Sequence, residues 1–261
     1  MNEKKTIDIK DIINYCHCPM YQKFSSKDSL KNNVVSTIEK FDTDIHNAIY
    51  SYLTLMQSGE KVTVKHLNRA FATRWIGTDK TVNDILFVEP SSWRDTHEQK
   101  RKRGLQSLNK LHKYLSSDIF FPIAINKSYE VPVAKGLYLT GTIEFVRELM
   151  DGTIQLVDFK VDDKLHNKVY IEKDIEITAA CYAFDKLYNK NIDSVVFYGL
   201  DKNKPIVTSR SGDDYKMLTK IAVNVYTCIK NNLYYPCPSD KCNNCLYKSI
   251  CIDSLNYQSM L

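Results

Sequence analysis

Hydrophobic residues recur at helical spacing through most of the first 116 residues. The clearest example contains Ile45, Ile49 and Leu53, which stand four residues apart and would share one face of a helix. The segments with this period, and hence the predicted helices, are 7–24, 34–57, 62–76 and 95–116. The N-terminal half is therefore predicted to be helical.

After residue 120 the chain becomes rich in β-branched and aromatic residues, which is typical of strands. The predicted strands are SYEVPV, LYLTGTIEFVREL, TIQLVDFKV, DSVVFYGL and KPIVTSR. Asp151-Gly152, between the second and third of them, is a hairpin-turn signal. Two helical segments, IEKDIEITAACYAFDKLY and DYKMLTKIAVNVYTCIKNN, complete the pattern. This order predicts an α/β (α+β) fold in which helices flank a central mixed sheet.

Composition excludes two classes of protein. With 261 residues, 43% of them hydrophobic and 26% charged, the chain can bury a core and is not a disordered protein. No apolar run approaches the length of a membrane span, and the first residues lack the apolar region of a signal peptide. An intracellular protein is therefore expected. The net charge of +5 permits contact with a polyanion without requiring it.

Eight cysteines in an intracellular chain favour a metal or redox role over disulfide bonds. Cys242, Cys245 and Cys251 follow the spacing C-x2-C-x5-C near the C-terminus. Two thiolates two residues apart can chelate one metal centre, and Cys237 or an N-terminal cysteine could supply a fourth ligand. By spacing alone, zinc and an iron–sulfur cluster both remain open.

Two acidic residues lie in apolar surroundings on the predicted hairpin, Glu144 on its first strand and Asp158 on its second. Neighbouring buried carboxylates repel each other, and a divalent cation such as Mg²⁺ or Mn²⁺ would relieve that repulsion. Lys160 shares a strand face with Asp158, and the carbonyl of Phe159 between them could bind the same ion. A cation and an ammonium together would activate a water molecule. The alternative is an ordinary hairpin with an ion pair.

These residues resemble the RecB-like branch of the PD-(D/E)xK nuclease superfamily. Gly141, Glu144, Asp158 and Lys160, in GTIE and LVDFK, occupy the branch's motif positions, although aspartate is commoner where Glu144 stands. The resemblance implies a restriction-endonuclease-like fold and a metal-dependent nuclease that cleaves DNA.

Two further motifs of the branch are present in part. His46 matches a histidine that completes the metal site and would favour Mn²⁺, although Asp42 replaces the usual glycine. Tyr182 matches the tyrosine of a Q-x-x-x-Y motif, with Thr178 in place of the glutamine. The resemblance implies that His46 is a metal ligand. Tyr182 either lines the DNA path or is a core aromatic residue.

Some members of this branch carry an iron–sulfur cluster, including AddB-type helicase–nucleases and CRISPR-associated spacer-acquisition nucleases. Similarity to them implies that a [4Fe-4S] cluster binds Cys18, Cys242, Cys245 and Cys251. Zn²⁺ is the less favoured alternative, and Cys16 and Cys237 are the spare ligands. Residues 1–30 and 232–261 would form the iron–sulfur subdomain, and 120–210 the catalytic sheet, of a single nuclease domain spanning 1–261.

Basic residues supply candidate contacts to DNA. Arg101 and Arg103 lie in a run of four cations that begins a predicted helix, and Lys164 and Lys168 follow the Lys160 strand. Their phosphate contacts would make binding strongly salt-dependent. A solvated charged surface is the alternative for each.

The sequence thus predicts an exonuclease that acts on single-stranded DNA ends in a prokaryotic or phage-infected cell. Because a Walker motif is missing, strand separation would require a helicase partner. The second hypothesis is a DNA-end-binding or processing subunit, with weak or no activity, of a recombination complex or of a CRISPR adaptation complex that contains an integrase.

Overall fold

The computed structural model describes residues 4–26, 34–75, 86–88, 96–161, 171–200 and 204–252. Its helices are α1 Ile9–His17, α2 Pro19–Ser25, α3 Thr37–Gln57, α4 Val64–Arg74, α5 His97–Leu115, α6 Ile175–Tyr188 and α7 Gly212–Lys230, with a 3-10 helix at Asp240–Asn244. Its strands are β1 Lys5–Asp8, β2 Val34–Ser36, β3 Leu86–Val88, β4 Phe120–Ala134, β5 Leu137–Leu149, β6 Ile154–Lys160, β7 Ser194–Gly199 and β8 Lys204–Thr208. No helix in these ranges combines the length and apolar character needed to cross a membrane.

A six-stranded mixed sheet is the centre of the architecture. Its main path is β1-β5-β6-β7-β8, and β4 also pairs with β5. The pairs β5–β6 and β7–β8 are antiparallel, whereas β1–β5 and β6–β7 are parallel. Strands β2 and β3 form a separate parallel pair. The predicted mixed sheet with flanking helices is therefore confirmed.

The β5–β6 hairpin closes through the turn that the sequence predicted. Gly152 has φ +85°, a left-handed conformation that glycine adopts without steric cost. The carboxylate of Asp151 accepts a hydrogen bond from the Thr153 amide at 2.9 Å. The turn sets a register in which Val146 is opposite Leu156. Two residues further along this antiparallel pair, the same register places Glu144 opposite Asp158.

The prediction of one helix over 7–24 is wrong, because this segment contains a strand and two helices. β1 pairs in parallel with the start of β5. The break between α1 and α2 falls at Cys18, which is extended with φ −163° and ψ 116°. Cys18 precedes Pro19, and the proline ring disfavours helical geometry in the residue before it. Pro19 itself occupies the first turn of α2, where its missing N–H costs nothing.

Other predicted elements differ mainly at their ends. α3 begins three residues after the predicted start, because Val34–Ser36 forms β2. β4 is much longer than SYEVPV and begins at Phe120. α6 begins at Ile175, where the carboxylate of Asp174 caps the helix by accepting a hydrogen bond from the Ile177 amide.

Two compact units divide the chain. The first consists of Met1–Asn32, Tyr129–Gly141 and Gly212–Leu261, and the second of Asn33–Ser128 and Thr142–Ser211. Both terminal segments that were predicted to hold an iron–sulfur cluster belong to the first unit. Residues from both units contribute to β4 and β5.

The core of the second unit forms between α3, α4, α5 and the sheet. Ile45, Ile49 and Leu53, the predicted apolar face of α3, are completely buried. They belong to one cluster with Phe145 of β5 and Phe159 of β6. Each fully buried side chain of this kind contributes about 1.5–3 kcal/mol to stability. This packing fixes α3 against the strands that carry Glu144 and Asp158.

Gly104 marks the tightest contact in this core. A Cβ atom added there would lie 2.6 Å from Cζ of Phe71 and 3.2 Å from Cε2 of Phe41. Alanine would gain about 1 kcal/mol of helix propensity, but overpacking costs about 1–3 kcal/mol. We therefore expect Gly104→Ala to lower the free energy of unfolding by about 1 kcal/mol in urea denaturation. Gln106→Ala, an exposed change in the same helix, should alter it by less than about 0.5 kcal/mol. Equal or higher stability of Gly104→Ala would contradict this packing.

Candidate functional site

Five residues from three elements meet in the second unit. α3 supplies His46, β5 supplies Glu144, and β6 supplies Asp158, Phe159 and Lys160. His46 Nε2 lies 3.0 Å from Glu144 Oε1 and 2.9 Å from the carbonyl oxygen of Phe159. Lys160 Nζ lies 2.8 Å from Asp158 Oδ2. The structure thus brings together the residues that the sequence predicted to be catalytic or to bind the divalent metal.

His46 is surrounded by hydrogen-bond acceptors. Its Nδ1 is 2.8 Å from the carbonyl oxygen of Asp42, one helical turn earlier, while Nε2 faces the Glu144 and Phe159 oxygens. Both ring nitrogens face acceptors, which favours the imidazolium in the metal-free protein, and a divalent cation bound at Nε2 would replace the proton there. Burial alone lowers the pKa of His46, but the Glu144 carboxylate outweighs it and raises this pKa to about 10. Positive charge is therefore favoured between Nε2, Glu144 and the Phe159 carbonyl.

Glu144 is held by donors on both carboxylate oxygens. The Tyr50 hydroxyl donates to Oε1 at 3.0 Å, and the Phe159 amide donates to Oε2 at 3.0 Å. Burial by itself raises the pKa of Glu144, but His46 lowers it to about 2. The carboxylate is thus ionised and fixed in orientation.

Asp158 is less completely satisfied. Its side chain is buried, and burial raises its pKa well above the usual range, opposed by Lys160 and reinforced by Glu144. Burial by itself lowers the pKa of Lys160, but the neighbouring Asp158 raises this pKa by more. The ammonium therefore stays charged. Although Lys160 Nζ is close to Oδ2, no hydrogen bond of good geometry reaches this buried oxygen. A further cation would satisfy Oδ2 and allow both carboxylates to ionise.

The atoms His46 Nε2, Glu144 Oε1 and the Phe159 carbonyl oxygen lie as close together as ligands of one ion. Within the described ranges, no group of three or more His, Cys, Asp or Glu side chains is arranged to hold a metal. The candidate centre instead includes a backbone carbonyl. Adjacent ligands of an octahedral Mg²⁺ are about 3 Å apart, given metal–oxygen distances of about 2.1 Å. The separations of His46 Nε2 from Glu144 Oε1 and from the Phe159 oxygen, 3.0 and 2.9 Å, match this value. Two of the donor separations therefore equal those of adjacent ligands of an octahedral ion, and both are also hydrogen-bond distances.

Thiols line a cavity of about 460 Å³ in the first unit. The cysteines around it are Cys18, Cys237, Cys242, Cys245 and Cys251. Burial and the neighbouring Cys18 raise the pKa of both Cys237 and Cys251, so these thiols lie near one another. Tyr247 packs its ring against Tyr21 and Phe24 at the same cavity. Cys16, a predicted spare ligand, is exposed and does not line the cavity. The cluster and its ligands remain predictions.

The predicted DNA contacts have different surroundings. Arg101 Nη1 lies 3.7 Å from Glu98, and Arg103 is exposed on the same helix. Tyr182 is buried, with the Lys186 ammonium over its ring, which favours a core aromatic role. Lys164 and Lys168 lie outside the described residues.

Thr178, which stands where the related motif has glutamine, is fully engaged. Its hydroxyl donates to the Asp174 carbonyl at 2.8 Å and accepts a hydrogen bond from Arg210 Nε at 2.9 Å. The guanidinium of Arg210 also donates to the carbonyl of Ile171. Thr178 and Arg210 therefore fix the start of α6.

Gly141, at a motif position of β5, is explained by close packing. A Cβ atom there would lie 2.6 Å from Cζ of Tyr129 and 2.9 Å from Cγ2 of Ile9. Glycine is therefore required by the neighbouring side chains rather than by an unusual backbone angle.

Sequence analysis missed Tyr50 as a member of the site. Tyr50 follows His46 by one helical turn and hydrogen-bonds the same carboxylate. The four-residue spacing of His46 and Tyr50 could have indicated this role, because residues four apart on a helix share a face. The contact with Glu144 depends on the packing of α3 against β5, which the spacing does not provide.

The family model of the PD-(D/E)XK nuclease superfamily matches residues 11–252. No curated protein matches the chain significantly. Among solved structures, the crystal structure of SSO0001 aligns with a TM-score of 0.44 and 12% identity, over 96% of this chain and 87% of that one.

Tyr50 should support metal binding by orienting Glu144. Removing such a hydrogen-bonding partner of a metal ligand costs about 10–100-fold in affinity. We expect Tyr50→Phe to weaken Mn²⁺ binding by at least about tenfold in calorimetric titration, with an unchanged circular dichroism spectrum. Tyr235→Phe, a change at an exposed tyrosine, serves as the control. Equal Mn²⁺ affinity of Tyr50→Phe and wild type would rule out this role.

Proposed function

Because the chain belongs to the PD-(D/E)XK nuclease superfamily, we propose that it hydrolyses DNA with a divalent cation held by His46, Glu144, Asp158 and the Phe159 carbonyl. The superfamily implies a metal-dependent nuclease that uses Mg²⁺ or Mn²⁺. The observation that carries the assignment to these residues is the approach of His46 Nε2 to within 3.0 Å of both Glu144 and the Phe159 carbonyl.

Each protein group has a definite part in this chemistry. A bound divalent cation would supply Lewis acidity at the scissile phosphate and lower the pKa of water. Glu144 is oriented by Tyr50, and a bound cation would keep it ionised in place of the His46 proton. Lys160, whose side chain is 29% exposed, can orient the attacking water and stabilise negative charge that develops on the phosphate. Asp158 holds the Lys160 ammonium at 2.8 Å.

We propose that the substrate is a single-stranded DNA end and that the enzyme is an exonuclease of the RecB-like branch. Support comes from Gly141, Glu144, Asp158 and Lys160, which stand at that branch's motif positions in the sequence. The chain contains no Walker motif, so a helicase or recombination partner would separate the strands.

A second candidate is a DNA-end-binding or processing subunit of a CRISPR adaptation or recombination complex. The observation in its favour is Thr178, whose hydroxyl is occupied by Arg210 and Asp174 where the branch has a glutamine. Such a subunit would bind DNA ends yet cleave them weakly or not at all.

We also propose that Cys18, Cys242, Cys245 and Cys251 hold a [4Fe-4S] cluster, with Zn²⁺ as the alternative. All four line one cavity whose wall includes aromatic rings, an environment that limits solvent access to a cluster. The cluster would join the N-terminal and C-terminal segments of the first unit. Because folding and metal binding are coupled in such sites, its loss should destabilise that unit.

Cleavage of end-labelled single-stranded DNA in Mn²⁺ tests the nuclease assignment. We expect wild type to degrade linear strands and to spare circular ones. Asp158→Asn and Lys160→Ala should each lower the rate by at least about a hundredfold, because the first removes a ligand and the second removes charge stabilisation. The matched controls are Asp118→Asn and Lys190→Ala, which change exposed residues. Cleavage by Asp158→Asn and Lys160→Ala at the wild-type rate would refute the enzyme assignment, whereas binding of DNA ends without cleavage by wild type would support the subunit.

The cluster is tested by anaerobic purification and iron and zinc analysis. We expect visible absorbance of an iron–sulfur chromophore together with about four iron atoms per chain. Cys245→Ser should lose both, while Cys16→Ser should keep both because Cys16 lies outside the thiol-lined cavity. One zinc per chain without visible absorbance would establish the alternative metal.

A further inference from the structure

A second cavity, of about 490 Å³ and open to solvent, lies in the second unit next to Tyr50. We call it the Tyr50 cavity. The α3 side chains around it are Asn47, Tyr50, Ser51 and Thr54, with Arg74 from the end of α4 and Asn126 from β4. Positions 47, 50, 51 and 54 follow helical spacing, so the cavity follows one polar face of α3. Its volume is within the range of small-ligand pockets, about 300–1,000 Å³.

Tyr50 connects this cavity to the catalytic carboxylate. The Tyr50 side chain lines the cavity, and its hydroxyl donates to Glu144 Oε1 at 3.0 Å. A ligand in the cavity would therefore lie one side chain away from the proposed metal site. A DNA strand cleaved at the metal site could therefore place the nucleotide next to the cleaved bond in the cavity.

Some donors of the cavity remain available among the described residues, whereas Tyr50 donates to Glu144 and Ser51 donates to the Asn47 carbonyl. In the described part of the chain, the side-chain amides of Asn47 and Asn126 form no hydrogen bond and Arg74 forms no ion pair. The guanidinium of Arg74 donates through Nη1 to the carbonyl of Ala70, which leaves its other N–H groups available. A guanidinium and two amides are the groups that bind phosphate oxygens without reading base sequence.

The charges around Arg74 favour an anion. The cavity lining includes no carboxylate, and Arg74 is its one charged residue among those described. The nearby Lys40 ammonium donates to the Arg74 carbonyl and is itself neutralised by Asp44. Arg74 therefore provides a positive charge that no acidic side chain in the described ranges compensates.

Asn126 provides an independent indication of function. It has φ +44° within β4, a left-handed conformation that is uncommon for residues other than glycine. Such residues in strands mark bulges, and they are concentrated near functional sites. The neighbouring Ile125 and Leu55 add apolar surface to the cavity, suited to a sugar or the face of a base.

We propose that the Tyr50 cavity binds one nucleotide of the DNA strand adjacent to the cleaved bond. Arg74 pairs with its phosphate, and Asn47 and Asn126 donate to phosphate or sugar oxygens. This assignment deepens the proposed nuclease function and rests on it. Because the contacts are to the backbone and to a generic apolar surface, the cavity positions the strand without selecting a sequence.

The test compares DNA binding and cleavage in Arg74→Gln, Asn126→Gly and the control Arg69→Gln. Asn126→Gly removes the amide while preserving a residue that tolerates positive φ, and Arg69 is an exposed arginine of α4 outside the cavity. Binding of a fluorescein-labelled single-stranded oligonucleotide is measured with Ca²⁺, over a series of salt concentrations. Steady-state cleavage is measured with Mn²⁺, and thermal melting verifies that each variant is folded.

We expect Arg74→Gln to bind about tenfold more weakly and Asn126→Gly about threefold more weakly, relative to wild type. Loss of one phosphate contact should also make the slope of log affinity against log salt shallower by about 0.7 in Arg74→Gln. The KM for cleavage should rise more than kcat falls, and Arg74→Lys should restore part of the affinity.

The outcomes separate this inference from the proposed function. If wild type cleaves DNA but Arg74→Gln has the affinity, salt slope and KM of Arg69→Gln, the cavity assignment is overturned and the nuclease stands. If wild type binds DNA without cleaving it, the nuclease assignment fails, and the binding data alone decide the role of the cavity. If wild type binds no DNA, the cavity assignment is overturned as well.

Discussion

Burial of two carboxylates at one point of the β5–β6 hairpin is the constraint on which the site depends. Isolated buried charges cost several kcal/mol each, and partners of opposite charge must offset that cost. His46 is the ion-pair partner of Glu144, and Lys160 is the ion-pair partner of Asp158. His46 can do so only because the core residues of α3 fix this helix against the sheet. The fold is thus arranged so that charge neutrality at the site and packing of the core require the same placement of α3.

Local patterns were sufficient for the hairpin and for one face of α3. The Asp151-Gly152 turn and the two-residue period of strands together place Glu144, Asp158 and Lys160 near one another, and the spacing of Ile45 and Ile49 identifies the buried side of the helix. Elements that depend on distant partners were not predictable in this way. β1 has four residues and exists because it pairs with β5, more than a hundred residues away. The break at Cys18 was readable, since Pro19 signals it, but the helical period of the segment obscured it.

In the thiol-lined cavity, too, some contacts follow from closeness in sequence and others depend on the packing of distant segments. Cys242, Cys245 and Cys251 lie close in sequence, so their proximity follows from short connections. The fourth ligand of the predicted cluster depends on where the N-terminal segment packs. Both Cys18 and Cys237 line the cavity. Cys18 stands extended at the break between two helices, and Cys237, which also precedes a proline, Pro238, lies outside the helices. A residue at such a break can present its side chain without bending a helix.

In the second unit, Tyr50 connects the Glu144 carboxylate to the Tyr50 cavity. Its hydroxyl belongs to the hydrogen-bond system of Glu144, and its side chain is part of the cavity wall. Displacement of the ring by a bound strand would alter the donor that orients Glu144, so strand binding and carboxylate geometry are linked through one side chain. Among the described residues the cavity has one cation, Arg74, while the whole chain carries a net charge of +5. Long-range attraction of DNA must therefore come from charges elsewhere on the surface, and the cavity contributes position. Such an arrangement would suit a nuclease that does not select a sequence, because neutral amides and a single guanidinium would hold the backbone of the strand one side chain away from Glu144.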